Sequence, residues 1–354
     1  MDPVSMPMAD VADPMVTVVI PTFNGGDWLL DAIASCFEGQ VLTPEVIVVD
    51  DASTDDTPDR VAAAFPQARL VREPRNSGSG SAGRNRGLAL ARGRYVKFLD
   101  HDDLLEPGTL ALELEAAEAH HADMVMTRWG DVRVDAEGRF LEATRRVKVP
   151  PQPERLLDAI VMGEELPYTA AVLYRRVYIQ HERWDPRLTI NDDFDWFCRN
   201  ALRGGRTIRL DHVSYYWRLH NQSIQGSQRH NRRAFVESVY IHDHVYRSVL
   251  EALRASDQLT VGRAGHLADR LYLGLRCLAR FNWRQCRTTT DCLLQLYPHF
   301  RPGPQIEPRV VIRLAVAVLG LRAWLLLFAL LRRPIDWLRP LQGEIRFFRT
   351  DGGH

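Results

Sequence analysis

The chain has 354 residues, 45% hydrophobic and 25% charged, with 45 basic and 45 acidic side chains. That composition supports one large or two ordinary folded domains and excludes a wholly disordered chain. The charge is unevenly placed: residues 1–200 hold 21 basic and 34 acidic side chains, and residues 201–354 hold 24 and 11, which fits a metal-holding front and a back facing something anionic, or two halves that attract each other.

Residues 1–15 are expected to form a flexible arm, because Asp2, Pro3, Pro7 and Asp10 punctuate it and no apolar run of signal length opens the chain. Residues 16–21 are a β-branched run closing on proline, a buried first strand. Residues 27–38 have helical spacing, with Trp28, Ile33 and Phe37 able to share a face. EVIVVD at 45–50 is a second buried strand, and residues 53–65 open as Ser-Thr-Asp-Asp-Thr-Pro, a helix-start signal. A third strand at 68–72, a helix at 83–91 and a fourth strand at 95–100 follow. Strands alternating with helices predict an α/β fold, a mainly parallel sheet with helices on both faces. Ligands of such sheets gather beyond the carboxyl ends of the strands, where Asp50 and Asp100 fall. Further on, the pattern predicts a helix at 109–121, strands at 123–129 and 130–140, and a proline-marked loop at 150–153. Helices at 154–163 and 192–204, short strands at 207–210 and 214–218, and a largely helical stretch beyond 230 complete it. The five cysteines, Cys36, Cys198, Cys277, Cys286 and Cys292, form no CxxC pair, so a reducing compartment is expected.

Four clusters carry the chemistry. Asp50-Asp51 ends a buried strand, where a carboxylate can accept hydrogen bonds from a base or ribose, or cap a helix. Asp100-His101-Asp102-Asp103 sets three mutually repelling carboxylates within four residues at a strand end, a pattern that suits Mg²⁺ or Mn²⁺ bound together with a diphosphate. Asp192, Asp193 and Asp195 sit in the first turn of a helix, where acids compensate the dipole or, in a cleft, serve as a general base. Arg218 and His220 alternate on one side of an extended segment and could hold a diphosphate and a metal, or sit solvated on an aromatic edge strand. Gly78-Ser-Gly-Ser-Ala-Gly83 satisfies GxGxxG, but a proline-broken loop precedes it at the third strand, so a dinucleotide fingerprint is not expected.

In order, VVIPTFNGGDWLLDAIAS, EVIVVDDASTDDT, NSGSGSAGRNRGLALARGRYVKFLDHDD, NDDFDWFCRNALRGG and YYWRLHNQS resemble inverting glycosyltransferase family 2, which has the GT-A fold, over about residues 16–225. The resemblance implies that Pro21, Thr22 and Asn24 lie near the nucleotide, and that Asp51, supported by Asp50, hydrogen-bonds the base. It implies that Asn76 and Arg84 face the nucleotide-sugar. Asp100 and Asp102 match a DxD motif, with Asp102 the direct metal ligand, and His220 matches a histidine near the metal or diphosphate. Asp193 matches the second acid of the family's ED pair, the general base, although here the pair is Asp192-Asp193. GSGSAGRN departs from the family's more usual alanine before Arg-Asn, which can shift the helix start. The absence of QxxRW argues against a processive synthase. The implied partners are a nucleotide-diphosphate sugar, with a UDP-sugar expected, and a glycan or lipid-linked acceptor in cell-surface polysaccharide assembly. The implied cofactor is Mg²⁺ or Mn²⁺; no nucleic-acid partner is expected. Residues 226–354 would be a helical C-terminal region. A sugar-nucleotide-binding protein without activity and a nucleotidyltransferase are the alternatives. The first would lack part of the set Asp51, Asp102 and Asp193, and the second would want a basic Gly-rich loop after the first strand.

Residues 310–331 are the most apolar stretch, long enough to span a bilayer but interrupted by Arg313 and Arg322. With Trp324, Arg332, Arg333 and Trp337 around it, the expectation is a helix lying on the membrane, ahead of a buried core helix and of a span. A cytoplasmic protein at the inner membrane face would fit.

Overall fold

The computed structural model describes residues 14–135, 138–188, 190–220, 232–303, 307 and 309–331. Most of the expected arm, the 221–225 end of the expected transferase region and the flanks Arg332, Arg333 and Trp337 lie outside the described residues.

β1 (Val16–Thr22) and β2 (Glu45–Asp50) are apolar runs buried almost throughout, as strands covered on both faces must be. β3 (Arg69–Arg72) and β4 (Tyr95–Phe98) complete a parallel set in the order β3-β2-β1-β4. The chain steps outward from β1 to β3 and then crosses to the other side of β1, which makes the β1/β4 boundary a topological switch point. Beyond β4 the sheet turns antiparallel through β8 (Val172–Arg175), β6 (Met124–Arg133), β9 (Thr207–Leu219) and the two-residue β5 (Leu104–Leu105). β7 (Arg146–Lys148) pairs with β6.

The sheet cannot be flat. Only five residues join β4 to β5, at the far edge. Four strand spacings are about 19 Å, close to the full reach of so short a segment. That segment contains a turn, Asp103 N–H donating to Asp100 O at 3.1 Å, so the sheet curls. β5 accordingly packs by α1 (Gly26–Ser35), where the Leu105 N–H donates to Ser35 Oγ at 3.1 Å.

Four local expectations are corrected. The helix at 53–65 is α2 (Thr57–Ala64): Ala52, at φ 60, turns the chain first, and 53–56 form a loop. α3 (Gly80–Leu90) starts three residues before the expected 83. The buried face of α1 is Leu29, Ala32 and Ile33, so Ile33 is inside while Trp28 and Phe37 are only half-buried. The short strands expected at 207–210 and 214–218 are the single strand β9, and the strand expected at 123–129 runs on as β6 to Arg133.

The remaining helices are α4 (Thr109–Ala119), α5 (Leu156–Met162), α6 (Arg176–Ile179), α7 (Asp192–Leu202), α8 (Arg232–Ala255), α9 (Val261–Phe281), α10 (Trp283–Leu296), α11 (Val310–Leu319) and α12 (Leu321–Leu331). Gly320, at φ 76, breaks the apolar stretch into α11 and α12. No helix among the described residues is long and apolar enough to cross a membrane, which corrects the span alternative. Ile312, Val316, Leu321 and Leu325 are buried while Val318, Leu319, Leu326 and Leu327 are exposed.

Two compact units share the chain. One comprises Met1–Gly130, Thr169–Arg183 and Arg206–Trp217; the other comprises Asp131–Tyr168, Trp184–Gly205 and Arg218–His354.

Candidate functional site

In the first unit, β1 and β2 end level, with Thr22 opposite Asp50. The loops that follow are stitched together. Asn24 takes a left-handed conformation at φ 52, its N–H donates to Ser53 Oγ at 2.8 Å, and its Oδ1 accepts from the Thr54 N–H at 2.9 Å. The Gly26 N–H donates to Thr57 Oγ1 at 3.0 Å. Asp50 is fully buried and accepts from the Ser53 N–H at 3.1 Å and from Arg72 Nε at 3.2 Å. It is a support for the turn. Asp51 is the carboxylate that leaves the strand, with its own N–H donating to Thr22 O at 2.8 Å.

A third loop reaches Asp51. The Ser77 N–H donates to both carboxylate oxygens at 2.9 Å, and the Ser77 hydroxyl lies 2.9 Å from Oδ2. Asn76 Oδ1 accepts from the Gly78 N–H at 2.6 Å, forming a turn that Gly78 completes at φ 72. Ser79 is the N-cap residue of α3, yet its side chain makes no capping bond. Its hydroxyl and that of Thr22 are both buried and have no hydrogen-bond partner in the protein. Buried hydroxyls are normally paired, so two of them, at the end of β1 and at the start of α3, point to a ligand.

Gly83, the last glycine of the apparent fingerprint, is a packing residue, and so is Gly87 one turn further on. A Cβ on Gly83 would lie 2.8 Å from Pro21 Cβ, and one on Gly87 would run into Val19. α3 therefore rides directly on β1 and brings its amino end, the positive end of its dipole, to the strand ends. From its second turn the buried Arg84 donates through Nη2 to Asp100 Oδ1 at 2.5 Å. Pro21, Thr22, Asn24, Asp50, Asp51, Arg84 and Asp100 thus gather at the carboxyl ends of β1, β2 and β4, and Asn76 joins them through its loop.

In the acidic loop, Asp103 is buried and Asp102 is half-buried. A Cβ on Gly25 would lie 3.4 Å from His101 Cδ2 and 2.5 Å from Thr22 Oγ1, so this loop touches the one after β1. Asp102 offers the carboxylate oxygens that a hard divalent ion takes, while Asp100 commits one oxygen to Arg84. Among the described residues no group of three or more His, Cys, Asp or Glu converges on a metal position. A single carboxylate, that of Asp102, completed by substrate oxygens fits the residues present.

In the second unit, Asn191, left-handed at φ 56, precedes α7. Asp192 Oδ1 accepts from the Asp193 N–H at 3.1 Å and Asp193 Oδ1 from the Phe194 N–H at 2.8 Å. Asp195 points inward and pairs with Arg199 at 2.8 Å, and Trp196 stacks on Trp184 at 4.6 Å. That packing fixes the first turn and leaves Asp192 and Asp193 half-buried. Arg218 is buried at the end of β9, and His220 is half-buried just beyond. Near Asp193 lies Tyr168, whose phenol is pushed up to about 12 by burial, against the nearby Lys148 cation and with Glu165, Asp193 and Asp131. Sequence reasoning missed Ser77, Ser79 and Tyr168. An Asn-Ser-Gly-Ser run before a helix was the available signal for the first two; Tyr168 offered none.

The sequence profile of Glycosyl transferase family 2 matches residues 17–199, more than half of the chain. The chain belongs to that family. Among curated relatives, the Succinoglycan biosynthesis protein ExoO of Rhizobium meliloti (strain 1021) is 33% identical over 220 residues, covering 60% of this chain and 62% of that protein. The Poly(ribitol-phosphate) beta-N-acetylglucosaminyltransferase TarP of Staphylococcus aureus (strain N315) is 32% identical over 128 residues, 35% of this chain and 38% of that protein. This family 2 chain thus spans less than two thirds of the length of these relatives. Among solved structures, S. aureus TarS 1–349 in complex with UDP-GlcNAc superposes with a TM-score of 0.61 at 21% identity, covering 89% of each chain. That likeness establishes the GT-A fold.

Proposed function

We propose that this family 2 chain is an inverting glycosyltransferase that moves a sugar from a nucleotide-diphosphate donor to a hydroxyl of a glycan or lipid-linked acceptor in polysaccharide assembly. The observation that carries the reading is the cradle at the switch point: Asp51 presented at the end of β2, two unsatisfied buried hydroxyls, and the amino end of α3 beside the Arg84–Asp100 pair. A carboxylate is the acceptor a base N–H needs, and a helix amino end suits phosphates. Solved TarS structures contain UDP and UDP-GlcNAc, which supports a UDP-sugar here.

In this reading Asp51 orients the base, Ser77 presets its carboxylate, and Thr22 and Ser79 donate to donor oxygens. Arg84 and Asp100 hold the acidic loop. Asp102 would hold Mg²⁺ or Mn²⁺, which when bound stabilises charge on the leaving diphosphate as a Lewis acid. Asp193 takes the acceptor hydroxyl proton as the new bond forms on the opposite face of the sugar, and Asp192 positions it. Arg218 and His220 serve the diphosphate side. Residues 16–225 form the transferase domain. The exposed side of α11 and α12 makes peripheral contact with the cytoplasmic face of a membrane.

A donor screen tests this. Purified chain with Mn²⁺ or Mg²⁺ should release nucleotide diphosphate from one or more UDP-sugars. Asp51→Ala should weaken UDP binding at least tenfold in calorimetry, and Asp102→Ala should abolish turnover. Full activity in EDTA would remove the metal from the reading, and unchanged UDP binding in Asp51→Ala would remove the cradle.

A further inference from the structure

A second cluster in the 131–205 portion of the chain is not used by the donor chemistry. Lys148, on β7, lies 3.2 Å from Asp131 Oδ2 on β6 and 2.5 Å from Glu165 Oε1. The same ammonium sits 5.2 Å from the centroid of the Tyr168 ring, and the Tyr168 hydroxyl is 3.4 Å from Glu165 Oε1. Asp193 is close enough for its charge to act on that phenol. The cluster is graded in exposure: the side chain of Asp131 is 12% exposed, that of Lys148 19% and that of Glu165 47%.

Its loop is built to hold this arrangement. Gly163, at φ 66, ends α5, and a Cβ there would meet the Arg270 guanidinium. Leu166 is buried and anchors the segment, while Glu165 is left exposed and Tyr168 half-buried. An ion pair as exposed as Lys148–Glu165 contributes little to stability; what it fixes is the position of a carboxylate beside an aromatic ring. A ring face accepts the apolar C–H face of a pyranose, and a carboxylate accepts from sugar hydroxyls.

The geometry points to an acceptor subsite for a neutral sugar: Tyr168 as the platform, Glu165 and Asp131 as hydroxyl acceptors, and Lys148 as the brace that holds both carboxylates in place. Three carboxylates, Asp131, Glu165 and Asp193, act at this point together with the Lys148 cation, and the excess of negative charge among these four repels an anionic polyol phosphate. The assignment rests on Asp193 being the base of the proposed transfer, because the subsite presents its sugar hydroxyl to that acid.

Saturation-transfer NMR on the full chain tests it, with cellobiose, lactose and N,N′-diacetylchitobiose as neutral probes and ribitol 5-phosphate as the anionic one. At least one disaccharide should bind the wild type. Tyr168→Ala should weaken it at least tenfold, and Tyr168→Phe should restore most of that loss. Glu165→Lys, at an exposed position, should weaken the disaccharide and admit ribitol 5-phosphate. If Tyr168→Ala loses its melting transition, Glu165→Lys decides alone. The subsite is overturned if no disaccharide binds, if ribitol 5-phosphate binds the wild type as well as they do, or if Tyr168→Ala binds them unchanged. UDP binding on the same samples keeps the two readings apart. It should be unaffected by Tyr168→Ala, and its absence in the wild type would count against the transferase and not against the sugar subsite.

Discussion

Asp192 and Asp193 are neighbours on α7, yet only one of them can be the base, and isosteric substitutions separate them. Asp193→Asn should leave donor affinity intact while turnover falls about 10²–10⁴-fold, the usual size of a general-base contribution. If Asp192→Asn shows that pattern and Asp193→Asn does not, the assignment is reversed. At Asp51, Ser77→Ala removes a hydroxyl donor but keeps the N–H bond; UDP affinity should fall only a few-fold, and a fall as large as that of Asp51→Ala would make Ser77 itself a ligand contact. The residues at strand ends, Asp50, Asp51 and Asp100, were legible because a buried β-branched run that stops on an acid leaves that acid at the sheet edge. Ser77 and Ser79 were not, because their role depends on how closely α3 approaches β1, and that is fixed by Gly83 and Gly87 meeting Pro21 and Val19. Gly83, which closes the apparent dinucleotide fingerprint, does the packing part of that motif's work.

At the scale of elements, α3 meets β1 at close range. Gly87→Ala would press a methyl into Val19, and overpacking of this kind costs about 1–3 kcal/mol. Urea unfolding should show the loss, and an unchanged midpoint would mean that the helix can slide. A second element pair is joined by a buried charge. Lys97 on β4 donates to both oxygens of Glu113 on α4, at 2.6 and 2.8 Å, and both side chains are fully buried. Burial pushes the Lys97 pKa down. Removing one partner strands the other, so Lys97→Met should cost about 3–5 kcal/mol, while Lys97→Met with Glu113→Leu should cost much less. Equal losses in the single and double variants, again read by urea, would contradict this. The sequence showed a lysine in a buried strand and could not show its partner 16 positions later. It also divided β9 in two at Asp211-His212, because polar residues in mid-strand read as a turn. In the structure Arg128 on the neighbouring β6 pairs with Asp211, and the strand continues.

At the scale of the whole molecule, the 310–331 stretch looked like one long apolar helix because hydropathy does not register a single glycine. Gly320 splits it, and each half buries one side, Ile312 and Val316 in α11 and Leu321 and Leu325 in α12. Arg322, which looked like a headgroup ligand, pairs with Asp291 at 2.7 Å. Val318, Leu319, Leu326 and Leu327 are exposed and available to a membrane. Replacing these four by serine should reduce co-sedimentation with phosphatidylglycerol vesicles several-fold without moving the melting temperature, and high salt should loosen the wild type only in part. A wild-type chain that ignores such vesicles would leave α11 and α12 as ordinary packing helices.

The interleaving of the two units has a consequence for synthesis. β4 is paired on one side by β1 and on the other by β8, which lies more than seventy residues later, and β6 waits likewise for β8 and β9. While a ribosome is still making residues 99–171, the emerging parallel half-sheet carries a naked, apolar β4 edge, the kind of template that invites pairing with another nascent chain. A fragment ending at 150 should therefore collect in inclusion bodies, and slowing elongation just before residue 172 should lower the soluble yield of the complete chain more than slowing it after residue 219. If both slowdowns give equal yields, the edge is protected by some other means during synthesis.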